Sequence, residues 1–504
     1  MRSEALTNEI LTSNAGYIRL LIWAVNTYFD RSLNRGFRVS HPATTRAFAA
    51  DFGACYDALL IGYALCSPTG VQKVFSGMTD QIQSTRLDNG LTVLTEHMPG
   101  LRSVSIGIWA RRGSRHESPE LNGICHFIEH TVFKGTLHRT ALDIAIESDR
   151  LGGHLDAFTT HEVTGFTMKV ADKGLPQAFD LLADMLAHPR FDSEDLQREQ
   201  KVIIEEMKMV EDTPDEFLGE LFNAAYFPDH PLGRPIEGTA ETVSSFDQER
   251  TAAFHAREFA PRNLVIAAAG NVEHAQLLEM AARAFKEDAA TGSATESASS
   301  QSSTPAASAP ILIERKKELE QAHLIIAAPW PSARSEDRFA ASLLANVLGG
   351  GTSSRLWQAI REERGLAYSV GAGAGAFSDI GVFNIYAGTS PAQLDEVLDL
   401  ALTELRRAVR ESVTEEELQL VKDQSVSSIL LGLESSSVRA GSLARQEIIH
   451  GRRISPDEVI TRLEAVTTED LQRIAREYFT SEGLALAALG DLNGFSVDRA
   501  RLEI

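Results

Sequence analysis

His126-Phe127-Ile128-Glu129-His130 is the stretch on which the reading of this chain turns. On an α-helix, positions i, i+3 and i+4 share one face, so both imidazoles and the carboxylate would lie together. Two histidines four apart can grip one zinc ion, leaving the glutamate beside the metal rather than on it. Catalytic zinc takes three protein ligands and keeps a further position for water. The metal lowers that water's pKa to about 7, and a nearby carboxylate accepts its proton. One ligand must therefore come from elsewhere. The competing reading is coincidence, since a short pattern with three fixed positions also arises in chains without a metal. Cys125 adjoins His126 and is a conceivable ligand, but position i−1 points away from the histidine face, and the reading preferred is a half-buried bystander.

Working outward, the motif helix spans roughly residues 122–133 and stops at Lys134-Gly135. Before it, Leu87-Asp88-Asn89-Gly90-Leu91-Thr92-Val93-Leu94 reads as strand, Asn-Gly turn, strand, and residues 103–111 alternate like another strand. After it, Gly152-Gly153 turns the chain into a strand reaching Thr159. Residues 191–211 read as a long helix, and residues 259–269 as a strand ending at Gly270-Asn271.

Residues 287–310 are almost all Ala, Ser, Thr, Glu and Pro, a composition that cannot build a core and reads as a flexible linker. The blocks on either side resemble each other. Ala256-Arg257-Glu258-Phe259, followed by a strand into Gly270-Asn271, matches Ala475-Arg476-Glu477-Tyr478, followed by a strand into Gly490-Asp491. Near the start of each block an alternating strand leads through Ser-Arg-x-Glu or Arg-Ser-Glu into a helix. In the second block that helix (residues 339–348) has alanine and leucine in place of histidine. The pattern is a duplication in which only the first copy kept the metal. The expected fold class is α+β, with two homologous halves, each an antiparallel-rich sheet covered by helices, joined by a flexible linker. The expected division is an N-terminal extension (1–80), a zinc-binding half (81–286), the linker (287–310) and a metal-free half (311–504).

The third ligand is sought on the long helix. Glu206 shares a face with Glu199, Ile203 and Val210. A carboxylate on a partly apolar face needs a partner, and a metal is one. The alternative is that these acids are surface charge. Glu205, about 100° round the helix, reads as solvated.

Composition narrows the function. The chain has 504 residues, enough for two or more domains, and carries a net charge of −22. So acidic a chain is a poor partner for nucleic acid, whose affinity comes largely from neutralised phosphates. Three cysteines (Cys55, Cys66, Cys125) make no disulfide framework and point to a reducing compartment. No run of 18 apolar residues is present, so no membrane span is expected. Residues 1–80 hold seven basic and six acidic residues, whereas the other 424 hold 41 and 64. That segment lacks a signal peptide's layout, and the expected location is cytoplasmic. It reads either as residues upstream of a true start at Met78 or as a targeting presequence.

His126-Phe127-Ile128-Glu129-His130, then Phe133-Lys134-Gly135-Thr136, then Glu199 and Glu206, the latter 76 residues after His130, together resemble peptidase family M16, whose HxxEH members are inverzincins. The likeness covers about residues 84–495 and is nearest the short bacterial members, which have two homologous α+β halves and pair as dimers into a closed clamshell. It implies a zinc metalloendopeptidase that cuts extended or unfolded peptides. One Zn2+ per chain would be held by His126, His130 and Glu206, with Glu129 as general base and Glu199 orienting a ligand histidine. It implies a homodimer or a pairing with a related chain. Some family members are catalytically silent partner or structural subunits, but this chain keeps all four motif residues. Arg361-Glu362-Glu363-Arg364-Gly365-Leu366-Ala367-Tyr368 resembles the family's second-half motif, which assigns Arg361 and Tyr368 to the oxyanion. From the residues alone, an exposed helix arginine and a core tyrosine fit equally well. Asp156, Ala157, Phe158 and Thr159 fall on the stretch resembling the edge strand to which substrate adds. Asp156 stands where the family usually has Asn, which replaces a donor and acceptor with an acceptor. The run Glu205, Glu206, Glu211, Asp212, Asp215, Glu216, Glu220 suggests a preference for basic substrates.

Overall fold

The computed structural model describes residues 81–286 and 305–504. The N-terminal extension and residues 287–304 of the expected linker lie outside the described residues. The chain divides into the units Met1–Gln83 and Ser84–Ile504, and everything discussed below except Ile82 and Gln83 lies in the second. Among the described residues no helix is long and apolar enough to cross a membrane.

The first half runs β1 (Ile82–Arg86), β2 (Thr92–His97), β3 (Ser103–Ala110), α1 (Ile124–Thr131), α2 (Ala141–Leu151), β4 (His154–Thr159), β5 (Thr164–Ala171), α3 (Leu175–Ala187), α4 (Ser193–Glu211), α5 (Pro214–Tyr226), α6 (Ala240–Ser244), α7 (Gln248–Glu258), β6 (Leu264–Gly270) and α8 (His274–Ala284). The second half runs β7 (Ile311–Arg315), β8 (Ala322–Trp330), α9 (Arg338–Gly349), β9 (Ala367–Ala376), β10 (Gly381–Thr389), α10 (Leu394–Arg410), α11 (Glu415–Gly432), α12 (Ser436–His450), α13 (Pro456–Glu464), α14 (Thr468–Tyr478) and β11 (Ala485–Gly490).

Sheet order makes the duplication explicit. The strands lie β1-β2-β6-β3-β5-β4 in one half and β7-β11-β8-β10-β9 in the other. Each sheet has one parallel pair, β2 with β6 and β7 with β11, and is otherwise antiparallel where the pairings correspond. Both halves are thus α+β with antiparallel-rich sheets. In each, the strand after the first helices (β4 or β9) forms the edge.

Three element boundaries differ from the sequence reading, each for a local reason. The motif helix begins at Ile124 because Gly123 is left-handed (φ 94), and it tightens into a 3-10 turn over Val132–Lys134. The long helix begins at Ser193, because Phe191 has φ 49 and Asp192 caps the helix by accepting from the Glu194 N–H. The expected strand over 259–269 starts only at Leu264. Phe259 ends α7 and Pro261 opens a 3-10 turn, since proline cannot donate within a central strand.

The alternation in β3 predicts one wet face, yet nearly every β3 residue is buried, as are those of β6, β8 and β11. The halves exchange helices. α12 of the second half packs on β6, β3 and β2 of the first. α5 of the first packs on β11 and β8 of the second, where Leu218, Phe222 and Tyr226 join Ile325, Ala327, Ala485, Ala487 and Leu489 in one apolar cluster. Ser308 continues this contact, its N–H and hydroxyl donating to the Tyr226 and Ala225 carbonyls at the end of α5.

Polar contacts reinforce the exchange. On α12, Arg439 pairs with Glu96 of β2, and Ser436 and Ser437 hydrogen-bond Ser105 of β3. Near the motif helix, the buried Arg115 guanidinium donates to Asp379 with two nitrogens (2.9 and 2.7 Å) and to Glu162 at 2.7 Å. Glu162 in turn accepts from the Ser378 N–H and hydroxyl. Replacing Arg115 by Met leaves two carboxylates without their cation, and urea unfolding should show a loss of about 3 kcal/mol. Burial works to raise the Asp379 pKa, but the hydrogen bond and charge of Arg115 hold it below the ordinary carboxylate value. A depressed folded-state pKa contributes stability above the unfolded value, and that stability is lost as pH falls through the folded one. The gap between wild type and variant should therefore narrow below about pH 4; a gap unchanged by acid would show that packing, not charge, was lost.

Candidate metal centre and active site

α1 is only eight residues long, so its position depends on its ends. A Cβ at Gly123 would stand 2.4 Å from the Glu237 carbonyl oxygen, and φ 94 already disfavours any other residue there. Glu117 supplies the cap that Gly123 cannot. Its buried carboxylate accepts from the Gly123 and Cys125 N–H groups, both at 2.8 Å, and from Asn122 Nδ2 at 3.3 Å. Burial pushes the Glu117 carboxyl up to about 7, against the pull of these donors. Sequence reading noted the repeated pattern containing Glu117 and missed this role. The available signal was an acid shortly before a helix whose own cap position is glycine. Ile124, Phe127 and Ile128 lock the opposite face into the core. Cys125 is a free, fully buried thiol in that core, its pKa driven up by burial and then by Glu117.

On α4, Leu196, Glu199, Ile203 and Val210 form the buried face. Glu206 lies along it and is a quarter exposed, while Glu205 points to solvent and pairs with Lys208. The surface-charge alternative therefore describes Glu205 and not Glu206. Glu206 Oε2 faces both imidazoles across the helix pair, 3.8 Å from His126 Nε2 and 3.6 Å from His130 Nε2. Ligand atoms sharing a tetrahedral zinc are about 3.3 Å apart at ordinary Zn–N and Zn–O lengths. The three groups are close to that spacing, and one ligand atom from each lies within 4.8 Å of the other two. Glu199 Oε2 accepts from His130 Nδ1 at 3.3 Å, which turns Nε2 toward Glu206. Its other oxygen meets Lys134 Nζ at 2.7 Å.

Electrostatics around these side chains favour a cation. Burial and then the charge of His130 hold His126 neutral, its pKa well below the usual value. Burial also opposes the charging of His130, but the Glu199 hydrogen bond and the Glu129 and Glu206 charges outweigh it and raise the pKa. Glu129 is buried beside the pair, and its Oε2 has no hydrogen-bond partner among the described residues. Burial pushes its carboxyl up to about 7; His130 and the Thr159 hydroxyl work against this, and Glu206 and Asp156 add to it. Four carboxylates, at Glu129, Asp156, Glu199 and Glu206, thus surround two imidazoles. A divalent ion would neutralise that concentration of charge and reverse the upward pull on Glu129. Two imidazoles and a carboxylate are also a donor set that suits zinc. The residues present fit the ion.

The Thr159 hydroxyl and the Asp156 carboxylate reach Glu129 from β4, so the open edge strand runs beside the base. Asp156 and Ala157 are buried, Phe158 and Thr159 half-buried. Arg361 and Tyr368 lie together in the second half. Arg361 Nη1 donates to the Tyr368 carbonyl at 2.9 Å, and its guanidinium sits over the Trp357 and Tyr368 rings at 4.1 and 4.8 Å. Among the described residues neither makes an ion pair or hydrogen bond with the histidine cluster. Tyr368 is 62% exposed, which removes the core-tyrosine alternative.

Comparison with known proteins agrees with this architecture. The family profile described as insulinase (peptidase family M16) matches residues 92–240, and that of the peptidase M16 inactive domain matches residues 245–425. A protein of Streptomyces coelicolor, named an uncharacterized zinc protease, is 38% identical over 79% of this chain and 87% of its own. A Bacillus subtilis protein of the same description is 38% identical over 80% of this chain and 96% of its own. Among solved structures, a protease from Helicobacter pylori shares the fold with a TM-score of 0.73 at 22% identity, covering 81% of this chain and 99% of that one. A chain of Complex III2 from Candida albicans does so with a TM-score of 0.71 at 20% identity, covering 84% and 100%. With a duplicated α+β fold, the HxxEH helix and relatives of this identity and coverage, the chain belongs to peptidase family M16.

Proposed function

We propose that the chain is a zinc-dependent metalloendopeptidase that cuts peptides lying extended along β4. The observation that carries this reading is the convergence of His126, His130 and Glu206 beside the buried carboxylate of Glu129, whose Oε2 has no hydrogen-bond partner among the described residues. His126, His130 and Glu206 would hold the ion, which supplies Lewis acidity to a water and to the scissile carbonyl. Glu129 takes the water's proton and returns it to the leaving amine. Glu199 fixes the His130 ring, and Lys134 fixes Glu199. The outer edge of β4 offers main-chain hydrogen bonds to an added strand, which holds the substrate extended. By family resemblance, Tyr368, braced by Arg361, is the donor to the developing oxyanion.

A silent partner or structural subunit is the competing reading, and Glu129→Gln separates the two. The variant should retain stoichiometric zinc while hydrolysis of a mixed peptide library, followed by mass spectrometry, falls about 10²–10⁴-fold. Chelation should abolish wild-type cleavage and added zinc restore it. Unchanged hydrolysis in the variant would refute the assigned base, and a wild type that binds zinc and peptide without cutting would favour the silent subunit. Glu199→Gln should weaken zinc about ten- to a hundredfold in competition titrations, with circular dichroism unaltered; wild-type affinity would remove Glu199 from the site.

The acids beyond Glu206 support a preference for basic residues near the cut. Burial and then the neighbouring Glu237, Glu216 and Glu211 charges push the Glu220 carboxyl up to about 7, so negative charge is concentrated there. A Lys/Arg-containing peptide should be cut faster than its charge-reversed copy, and the difference should shrink with added salt. Equal, salt-insensitive rates would end this part of the reading.

A further inference from the structure

We propose that His138, Asp184 and His188 form a second site for a divalent transition-metal ion, zinc foremost, separate from the histidine motif. The three residues come from the turn after the motif helix and from the end of α3, and one ligand atom from each lies within 4.8 Å of the others. Asp184 Oδ1 is shared by two imidazoles, His138 Nδ1 at 2.6 Å and His188 Nδ1 at 3.2 Å. This repeats the way Glu206 Oε2 faces His126 and His130. The rings stand nearly perpendicular, with centroids 5.0 Å apart.

The carboxylate is held as a ligating one would be. Asp184 is buried, and its other oxygen accepts from the Thr136 hydroxyl at 2.6 Å and from Arg139 Nη1 at 2.8 Å. Those bonds fix the carboxylate plane and leave Oδ1 to the histidines. The backbone beneath the rings is tied as well. The Leu137 N–H donates to the His188 carbonyl, the Arg190 N–H to the Gly135 carbonyl, and the His138 N–H to the Thr136 hydroxyl. Both imidazoles are thus placed by a small network before any ion arrives. Shared zinc ligands sit about 3.3 Å apart. His188 already meets that spacing, and His138, with 61% of its side chain exposed, is free to swing outward by the small amount required. Two imidazoles and one carboxylate suit zinc and its late first-row neighbours better than calcium or magnesium. The site faces solvent, so water would complete the coordination and the ion should exchange more readily than at the histidine motif.

This reading does not rest on the proposed peptidase activity, and metal counting keeps the two apart. The chelator-stripped full chain is titrated with zinc against a chromophoric chelator. Wild type should bind two ions, and the H138A/H188A and H126A/H130A variants one each. Zinc should still raise the melting temperature of H126A/H130A, and that rise should vanish when H138A/H188A is added. A wild-type stoichiometry in H138A/H188A, or no binding and no thermal shift in H126A/H130A, would overturn the proposal. A wild type whose single ion is lost in H138A/H188A would support it while refuting the zinc assigned to the motif. His138 is exposed and His188 half-buried at the end of α3, and circular dichroism of H138A/H188A checks that the fold survives.

Discussion

A carboxylate on one helix faces two imidazoles on another, and most of the surrounding structure serves to keep it there. Glu206 belongs to α4 and the histidines to α1, so neither helix can shift without opening the cluster. α1 is too short to hold itself. Glu117 binds its first amides, Gly123 lets the chain enter against the Glu237 carbonyl, and Phe127 and Ile128 plug its far face into the core. α4 is longer, capped by Asp192 and seated by Leu196 and Ile203. Glu199 and Lys134 then cross-link the two helices on the side away from Glu206. In water this gathering of acids would disperse; here the fold holds it together, and the energetic tension points to a cation.

The helix exchange acts at longer range. The central strands of each sheet are buried on both faces because the other half contributes α5 or α12 to them. The halves therefore cannot part without exposing two apolar sheet faces, at roughly 25 cal/mol for each Å² uncovered. Arg115 joins this interface to the start of the motif helix through Glu162 and Asp379. The second half is thus structurally necessary to the half that carries the histidines.

Much of this was legible in the sequence. The histidine spacing named its own helix face, the stripe shared with Ile203 and Val210 made Glu206 a candidate that the family resemblance then singled out, and the repeated segments ending at Gly270-Asn271 and Gly490-Asp491 announced two like halves. What escaped was tertiary. The alternation in β3 says that one face differs from the other and cannot say that a helix more than three hundred residues away will cover it. Nor could periodicity place Tyr368, whose aromatic ring suited a core and is largely exposed instead. Glu117 looked like one acid among many until burial and its two amide partners distinguished it. His138 and His188 carried no signal at all, since their spacing fits no single helix and only the fold brings them to Asp184.

The central claim is that one ion sits between His126, His130 and Glu206. A crystal structure of the zinc-loaded full chain, with data collected on both sides of the zinc absorption edge, tests it most directly. The expected result is an anomalous peak within coordinating distance of His126 Nε2, His130 Nε2 and a Glu206 oxygen, with Glu129 alongside and not bound. A zinc-free cluster in a protein loaded with the ion, or an ion at this cluster held without Glu206, would contradict it.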